Sequence, residues 1–185
     1  MIQVIEIIVL ISPEYKKQLV KLHKENEDWG TGPRGNIIRI CHWLYQNDIK
    51  ELLDYGCGKG ENLMRFLPIS VVNYDPAIPE WSWDPDPEDY VLCTDVLEHV
   101  EPEYIENVVK HLVSKFRKRA FITISLKKAR ETLPDGRNAH LIIEPFEWWV
   151  NLIKKYAFIE QVDFARDVPM QNDVVLQLRK RNSRF

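Results

Sequence analysis

Apolar residues in this chain fall into two kinds of pattern. Short branched runs stop at an acid, a glycine or a proline, and between them lie stretches with apolar residues three and four apart. The first run, residues 1–11, reads as a strand or an extended packing arm, because Ile and Val dominate it; Glu6 and the lack of a basic start argue against a signal peptide. Residues 13–27 have helical spacing, with Tyr15, Leu19 and Leu22 on one face. Trp29-Gly30-Thr31-Gly32-Pro33-Arg34-Gly35 breaks that pattern as a loop, and a second helix is expected over 36–47. Leu52-Leu53-Asp54 then reads as a buried parallel strand, Gly56, Gly58 and Gly60 as a tight turn, and 61–67 as a helix. Further strands are expected at 71–74, 89–94 and 119–125, with helices from Pro102 to about Arg117 and over 145–156. Residues 158–164 and 173–178 read as two closing strands, paired antiparallel. The alternation of strand and helix predicts an α/β architecture.

The strand–glycine–helix stretch is a nucleotide-type cradle: glycines let the backbone approach a ligand, and free N–H groups at a helix start attract a negative group. The third glycine comes one place too early for a dinucleotide G-x-G-x-x-G, since Glu61 stands at that position. No lysine followed by Ser or Thr closes the loop, so a P-loop is not indicated either. Asp75, 21 residues after Asp54, ends the next strand at about the interval of ~20 residues expected for an acid on a ribose. Together Asp54, Gly56, Cys57, Gly58, Gly60 and Asp75 resemble the first motifs of the class I S-adenosylmethionine (SAM) methyltransferases, and the resemblance spans about residues 50–125. It implies a Rossmann-like three-layer sandwich: a mostly parallel sheet with an antiparallel C-terminal edge strand. It also implies SAM as cofactor, with the turn around the methionine end, Asp75 and Pro76 at the ribose, and Thr94 and Asp95 beside the methionine moiety.

The chain departs from that family after Asp75. Only about fourteen residues, four of them proline, precede the 89–94 strand, too few and too proline-rich for the usual helix–strand–helix, so one edge strand is expected to be missing. Trp81 and Trp83 in this connection either cover the adenine or seal the sheet edge, and sealing is the favoured role. The length of 185 residues fits a single domain: an N-terminal cover segment 1–48, a core 49–179 and a basic tail 180–185. The loop with Trp29 and Arg34, and His23 before it, is either a lid over the cofactor or a plain connector.

Composition narrows the function classes. Hydrophobic residues make up 45% and charged residues 29%, and no apolar run reaches the roughly 18–20 residues of a membrane span. Cys41, Cys57 and Cys93 form neither a zinc spacing nor a disulfide framework, which suits a reducing, cytoplasmic setting. A net charge of −3 argues against a dedicated nucleic-acid binder, although basic residues crowd 110–130 and the C-terminus.

Asp95-Val96-Leu97-Glu98-His99 is the richest candidate for chemistry. Asp95, Glu98 and His99 can converge from one loop, and carboxylate oxygens with imidazole suit Mg²⁺, Mn²⁺ or Zn²⁺. A similar acid-x-x-Glu-His group, completed by a later histidine, resembles the metal site of small-RNA 3′-terminal 2′-O-methyltransferases, and a related group occurs in ubiquinone-pathway O-methyltransferases. The resemblance implies His140 as that later ligand, with Phe146-Glu147-Trp148 matching a following motif and Asp95 standing where those families carry Glu. Mg²⁺ or Mn²⁺ is the implied ion. The alternative is structural: the motif orients the loop beside the cofactor, and Glu98 caps a helix. Without metal, His140 and then His99 are the candidate general bases. The expected activity is SAM-dependent methyl transfer to the hydroxyl of a small molecule or sugar. Two other readings stand beside it, a nucleotide or nucleic-acid methyltransferase and a non-catalytic SAM-binding subunit. The absence of an Asp-Pro-Pro-Tyr motif and of a Pro-Cys pair disfavours DNA base methylation. The acceptor and the oligomeric state are not encoded in any motif.

Overall fold

The computed structural model describes residues 8–27, 29–30, 36–60, 68–164 and 173–181. Its centre is a six-stranded sheet made of β1 (Glu51–Tyr55), β2 (Ser70–Tyr74), β3 (Glu88–Thr94), β4 (Phe116–Ser125), β5 (Phe158–Phe164) and β6 (Asp173–Arg179). The spatial order is β2-β1-β3-β4-β6-β5. The β2-β1-β3-β4 neighbours all pair parallel, and β6 runs antiparallel to both β4 and β5. The antiparallel strand is thus β6, inserted between β4 and the edge strand β5. Helices α1 (Pro13–Glu25), α2 (Ile37–Gln46), α3 (Ile105–Lys115) and α4 (Phe146–Ile153) surround it.

Strand residues alternate between two cores, which is why the central strands read as continuous apolar runs. Leu53, Val91, Ile122 and Leu176 face α3 and α4, where Trp149 is fully buried, while Leu52, Leu92, Phe121 and Val175 face Trp43 and Leu44 of α2. A third, smaller cluster joins Tyr15, Leu19 and Leu22 of α1 to Leu133 and Ala139. It fastens α1 over the end of the sheet, on the loop that follows β4.

Among the described residues no strand pairs with the outer side of β2, as the four prolines after Asp75 imply. The connection holds one turn of 3₁₀ helix at Pro79–Trp81 and is otherwise irregular. Its polar groups are satisfied by α3: Lys115 Nζ donates to Pro85 O at 2.9 Å and pairs with Asp84 at 2.6 Å. His111 bridges Asp84 and the Tyr55 hydroxyl at 2.8 Å each. Trp81 is half-buried and Trp83 is 54% exposed, and neither lines the main cavity.

Two boundaries differ from the sequence pattern. Pro102 starts a turn rather than α3, which begins at Ile105, and α3 ends at Lys115 because Phe116 already pairs with Glu88 of β3. The fully buried Phe116 takes extended geometry at once, leaving no loop between helix and strand. The expected helix over 61–67, the arm over 1–7, Arg34 and the end of the tail (182–185) lie outside the described residues.

Candidate active site

The order of strands reverses between β1 and β3, and ligands of open α/β sheets bind beyond the strand ends at such a point. A cavity of about 600 Å³ opens there, within the roughly 300–1,000 Å³ usual for ligand sites. The turn after β1 forms one wall. Gly56 and Gly58 have φ of 78° and 55°, left-handed values that side chains disfavour. A Cβ on Gly58 would stand 2.6 Å from Gly30 O, so the turn and the segment before α2 touch backbone to backbone. Asp75 braces the same turn, its Oδ2 accepting from Gly58 N at 3.0 Å and its Oδ1 from Ala77 N at 2.8 Å.

Of the residues expected to hold a cofactor, Asp54, Gly56, Cys57, Gly58, Asp75, Pro76, Thr94 and Asp95 all line this cavity. Gly60 does not: it packs against Asn73, whose amide nitrogen would be 2.8 Å from a Cβ there. Burial raises the Asp54 carboxyl from 3.8 to about 7, with the Asp75 charge adding to the effect, and burial raises Asp75 too. Asp95 has an outer face open to the cavity but lies among protein atoms, whose desolvation raises it to about 6 against the hydrogen bond from Thr123.

The other end of the cavity is formed by His99 and His140, with a buried acid beside them that does not itself line it. Glu98 is fully buried; its Oε1 accepts from Ser125 N at 2.7 Å, while its Oε2 has no partner among the described residues. Desolvation pushes its carboxyl well up. The His99 and His140 rings lie edge to face, 4.7 Å apart. His99 Nδ1 meets Ala139 O at 2.9 Å and His140 Nδ1 meets Lys127 O at 2.5 Å. A carbonyl only accepts, so both Nδ1 atoms carry the proton and both Nε2 atoms present a lone pair. Burial lowers His99 to about 3 and lowers His140 as well, so both rings are neutral at pH 7.

Glu98, His99 and His140 each offer a ligand atom, and these atoms lie within 4.8 Å of one another. Asp95, expected as a fourth donor, stands outside this cluster. Its backbone is left-handed at φ 54°, and its Oδ1 accepts the Thr123 hydroxyl at 2.9 Å. Nor does Glu98 cap a helix: its carboxylate reaches across to the end of β4 instead.

The sequence pattern offered residues 1–48 as a cover and the loop with Trp29 and His23 as a lid or connector, but it did not single out Ser12, Lys59 or Glu101, which help to hold this end together. The Tyr15 hydroxyl donates to His99 O at 2.7 Å, and the Glu101 carboxylate accepts from both the backbone and the hydroxyl of Ser12. Lys59 Nζ donates to Asn26 O and Glu27 O, and Trp29 stands edge-on to His99 with ring centres 5.3 Å apart. Helix α1 and the segment after it therefore cover the site, and Trp29, His23 and Gly30 all line it.

The sequence has no match among curated proteins. Solved structures of similar shape include the 1,6-didemethyltoxoflavin-N1-methyltransferase of Burkholderia thailandensis with its acceptor and S-adenosylhomocysteine bound (17% identity, 93% of this chain and 92% of that one, TM-score 0.67). The magnesium protoporphyrin IX methyltransferase of Synechocystis with bound SAM aligns over 90% of this chain and 97% of its own (12% identity, TM-score 0.64). The N-methyltransferase NodS of Bradyrhizobium japonicum, in complex with S-adenosylhomocysteine, does so over 89% and 97% (11% identity, TM-score 0.60). At these identities the likeness concerns the fold. A family model described as a methyltransferase domain matches residues 28–164, well over half of the chain, and with the glycine turn, Asp75 and the cavity between them it places the protein in the family of SAM-dependent methyltransferases.

Proposed function

We propose that the protein methylates a hydroxyl oxygen of a small-molecule acceptor in the cytoplasm, with SAM along the glycine turn and the acceptor against His99 and His140. The observation that carries this reading is the pair of imidazole Nε2 lone pairs at that end, beside a buried Glu98 Oε2 that has no partner among the described residues. A hydroxyl must lose a proton as it attacks, and an imidazole lone pair can receive it. In the transfer the acceptor oxygen attacks the methyl carbon in line, the carbon–sulfur bond breaks, and its electron pair stays on sulfur. Alignment and exclusion of water supply most of the acceleration. The acceptor proton goes to His140 Nε2, the less deeply buried of the two rings, and the Lys127 carbonyl holds that ring in its tautomer.

The same donors fit a divalent cation. Each histidine directs Nδ1–H to a backbone carbonyl, the arrangement usual behind metal-binding imidazoles, and the third donor is an orphaned carboxylate oxygen. Glu98, His99 and His140 would hold the ion, and two nitrogens with one oxygen suit Mn²⁺ better than Mg²⁺. When bound, it would lower the pKa of an acceptor hydroxyl. Titration of Mn²⁺ into the protein–S-adenosylhomocysteine complex, followed by calorimetry and electron paramagnetic resonance, tests this. One site is expected, lost in Glu98→Gln and in His140→Ala, while both variants still bind S-adenosylhomocysteine. No Mn²⁺ binding by the wild type overturns the cation. Turnover on amines but on none of a panel of catechols and sugars overturns oxygen transfer.

A further inference from the structure

One short segment after β4 carries both His140 and Arg130, the only Lys or Arg side chain in the cavity wall among the described residues. Residues 129–139 are pinned at several points. Asn138 grips Ala129 with both ends of its amide, donating to Ala129 O at 2.9 Å and accepting from Ala129 N at 3.0 Å. The same Asn138 oxygen accepts from His140 N at 3.1 Å, and Ala139 N donates to Glu131 O at 3.1 Å. Arg130 sits between these fixed points and lines the cavity. Its placement relative to His140 is therefore set by the hairpin, not by a loose loop.

Arg130 differs from the other arginines. Arg39, Arg117, Arg119, Arg137 and Arg179 each pair with a carboxylate, and Arg181 donates to a backbone carbonyl. Among the described residues the Arg130 guanidinium has no hydrogen bond and no ion pair, even though Glu131 is adjacent. Arg130 brings five donors in a fork to a cavity lining whose other charged side chains, among the described residues, are acids. A guanidinium so placed suits a planar or tetrahedral oxyanion bound through two parallel hydrogen bonds.

We infer that the acceptor carries an anionic group, a carboxylate or a phosphate, and that Arg130 binds it while the reacting hydroxyl lies at His99 and His140. The inference rests on the acceptor placement proposed above. It makes Arg130 a specificity residue: it selects charged acceptors over neutral ones and takes no part in the displacement.

Paired probes test it on the full chain saturated with S-adenosylhomocysteine: 3,4-dihydroxybenzoate against catechol, and ribose 5-phosphate against ribose. Calorimetry should show one anionic member binding about tenfold or more tighter than its neutral partner, the gain expected for a charge-assisted pair. The member that does so tells carboxylate from phosphate. Arg130→Gln should abolish the preference, and S-adenosylhomocysteine binding should stay unchanged, since Arg130 lies on the hairpin that carries His140 and not on the glycine turn. Lys128→Gln removes the same charge two residues before Arg130, at a residue that does not line the cavity, and it should keep most of the preference. An equal loss in Lys128→Gln would reduce the effect to a general field and overturn the assignment. Wild type without a preference in either pair, or Arg130→Gln that keeps one, also overturns it. Failure to bind S-adenosylhomocysteine at all would instead contradict the proposed activity.

Discussion

Burial holds the Asp54 carboxyl at about 7 in the folded protein, against 3.8 in an exposed chain, and no donor among the described residues compensates it. Between those values the native state keeps a proton that the unfolded state has lost. Stability therefore falls as pH rises from about 4 to about 7. Asp54→Asn removes the titration but keeps the shape. Its melting temperature relative to wild type should rise between pH 4 and pH 8, by the equivalent of roughly 2–4 kcal/mol. Equal differences at the two pH values, read by calorimetry, would mean that Asp54 titrates normally. At this scale the sequence was half informative. The glycines, Asp75 and the Glu98-His99 pair stand out by type and spacing. The orphaned oxygen of Glu98 does not, because it depends on where Ser125 N lies, 27 residues along the chain. Asp95 reads like a fourth ligand by spacing, yet Thr123 on the neighbouring strand engages it.

At the scale of elements, the cover over the site hangs on few bonds. The segment after α1 meets the glycine turn through Lys59, whose backbone N donates to Gly30 O at 3.1 Å and whose ammonium donates to Asn26 O and Glu27 O. Lys59→Met keeps the aliphatic stem and removes the two ammonium bonds. S-adenosylhomocysteine should then bind about 1–2 kcal/mol more weakly, and amides of residues 26–30 should exchange faster, while global unfolding changes little. Unchanged exchange in that segment would show that the cover is held by Trp29 and the α1 cluster alone. The elements themselves were mostly legible. Short branched runs gave the strands, period-three-to-four patterns gave α1 and α2, and four prolines gave the missing edge strand beside β2. Sequence could not foresee that His111 and Lys115 of α3 would fasten that proline-rich connection, nor that β4 would follow α3 directly. Both are long-range pairings with no local signature.

Across the whole molecule, the strand ends bring Asp54, Asp75 and Asp95 to one cavity, with Glu98 buried beside the two histidines at its far end, and desolvation raises all four. The site thus concentrates acids whose ionisation burial disfavours. Ligands bearing positive charge or hydrogen-bond donors favour the ionised forms, so binding them expels protons. S-adenosylhomocysteine brings an ammonium and ribose hydroxyls, and Mn²⁺, if held as proposed, would bring two charges to Glu98, His99 and His140. The sign follows for S-adenosylhomocysteine. At pH 5 Asp54 and Asp95, raised to about 7 and about 6, hold protons that it must displace, while at pH 8 both are already ionised. The rise in melting temperature given by a fixed ligand concentration should therefore be larger at pH 8 than at pH 5, since stabilisation by mass action follows the affinity at each pH. Calorimetric titrations in two buffers of different ionisation enthalpy should show proton release on S-adenosylhomocysteine binding near pH 6. Asp54→Asn should reduce that release without changing the Mn²⁺ term, and Glu98→Gln should do the reverse, because the two acids serve opposite ends of one cavity. Ligand stabilisation that stays constant from pH 5 to pH 8, or proton uptake on binding, would show that these acids are ionised before any ligand arrives.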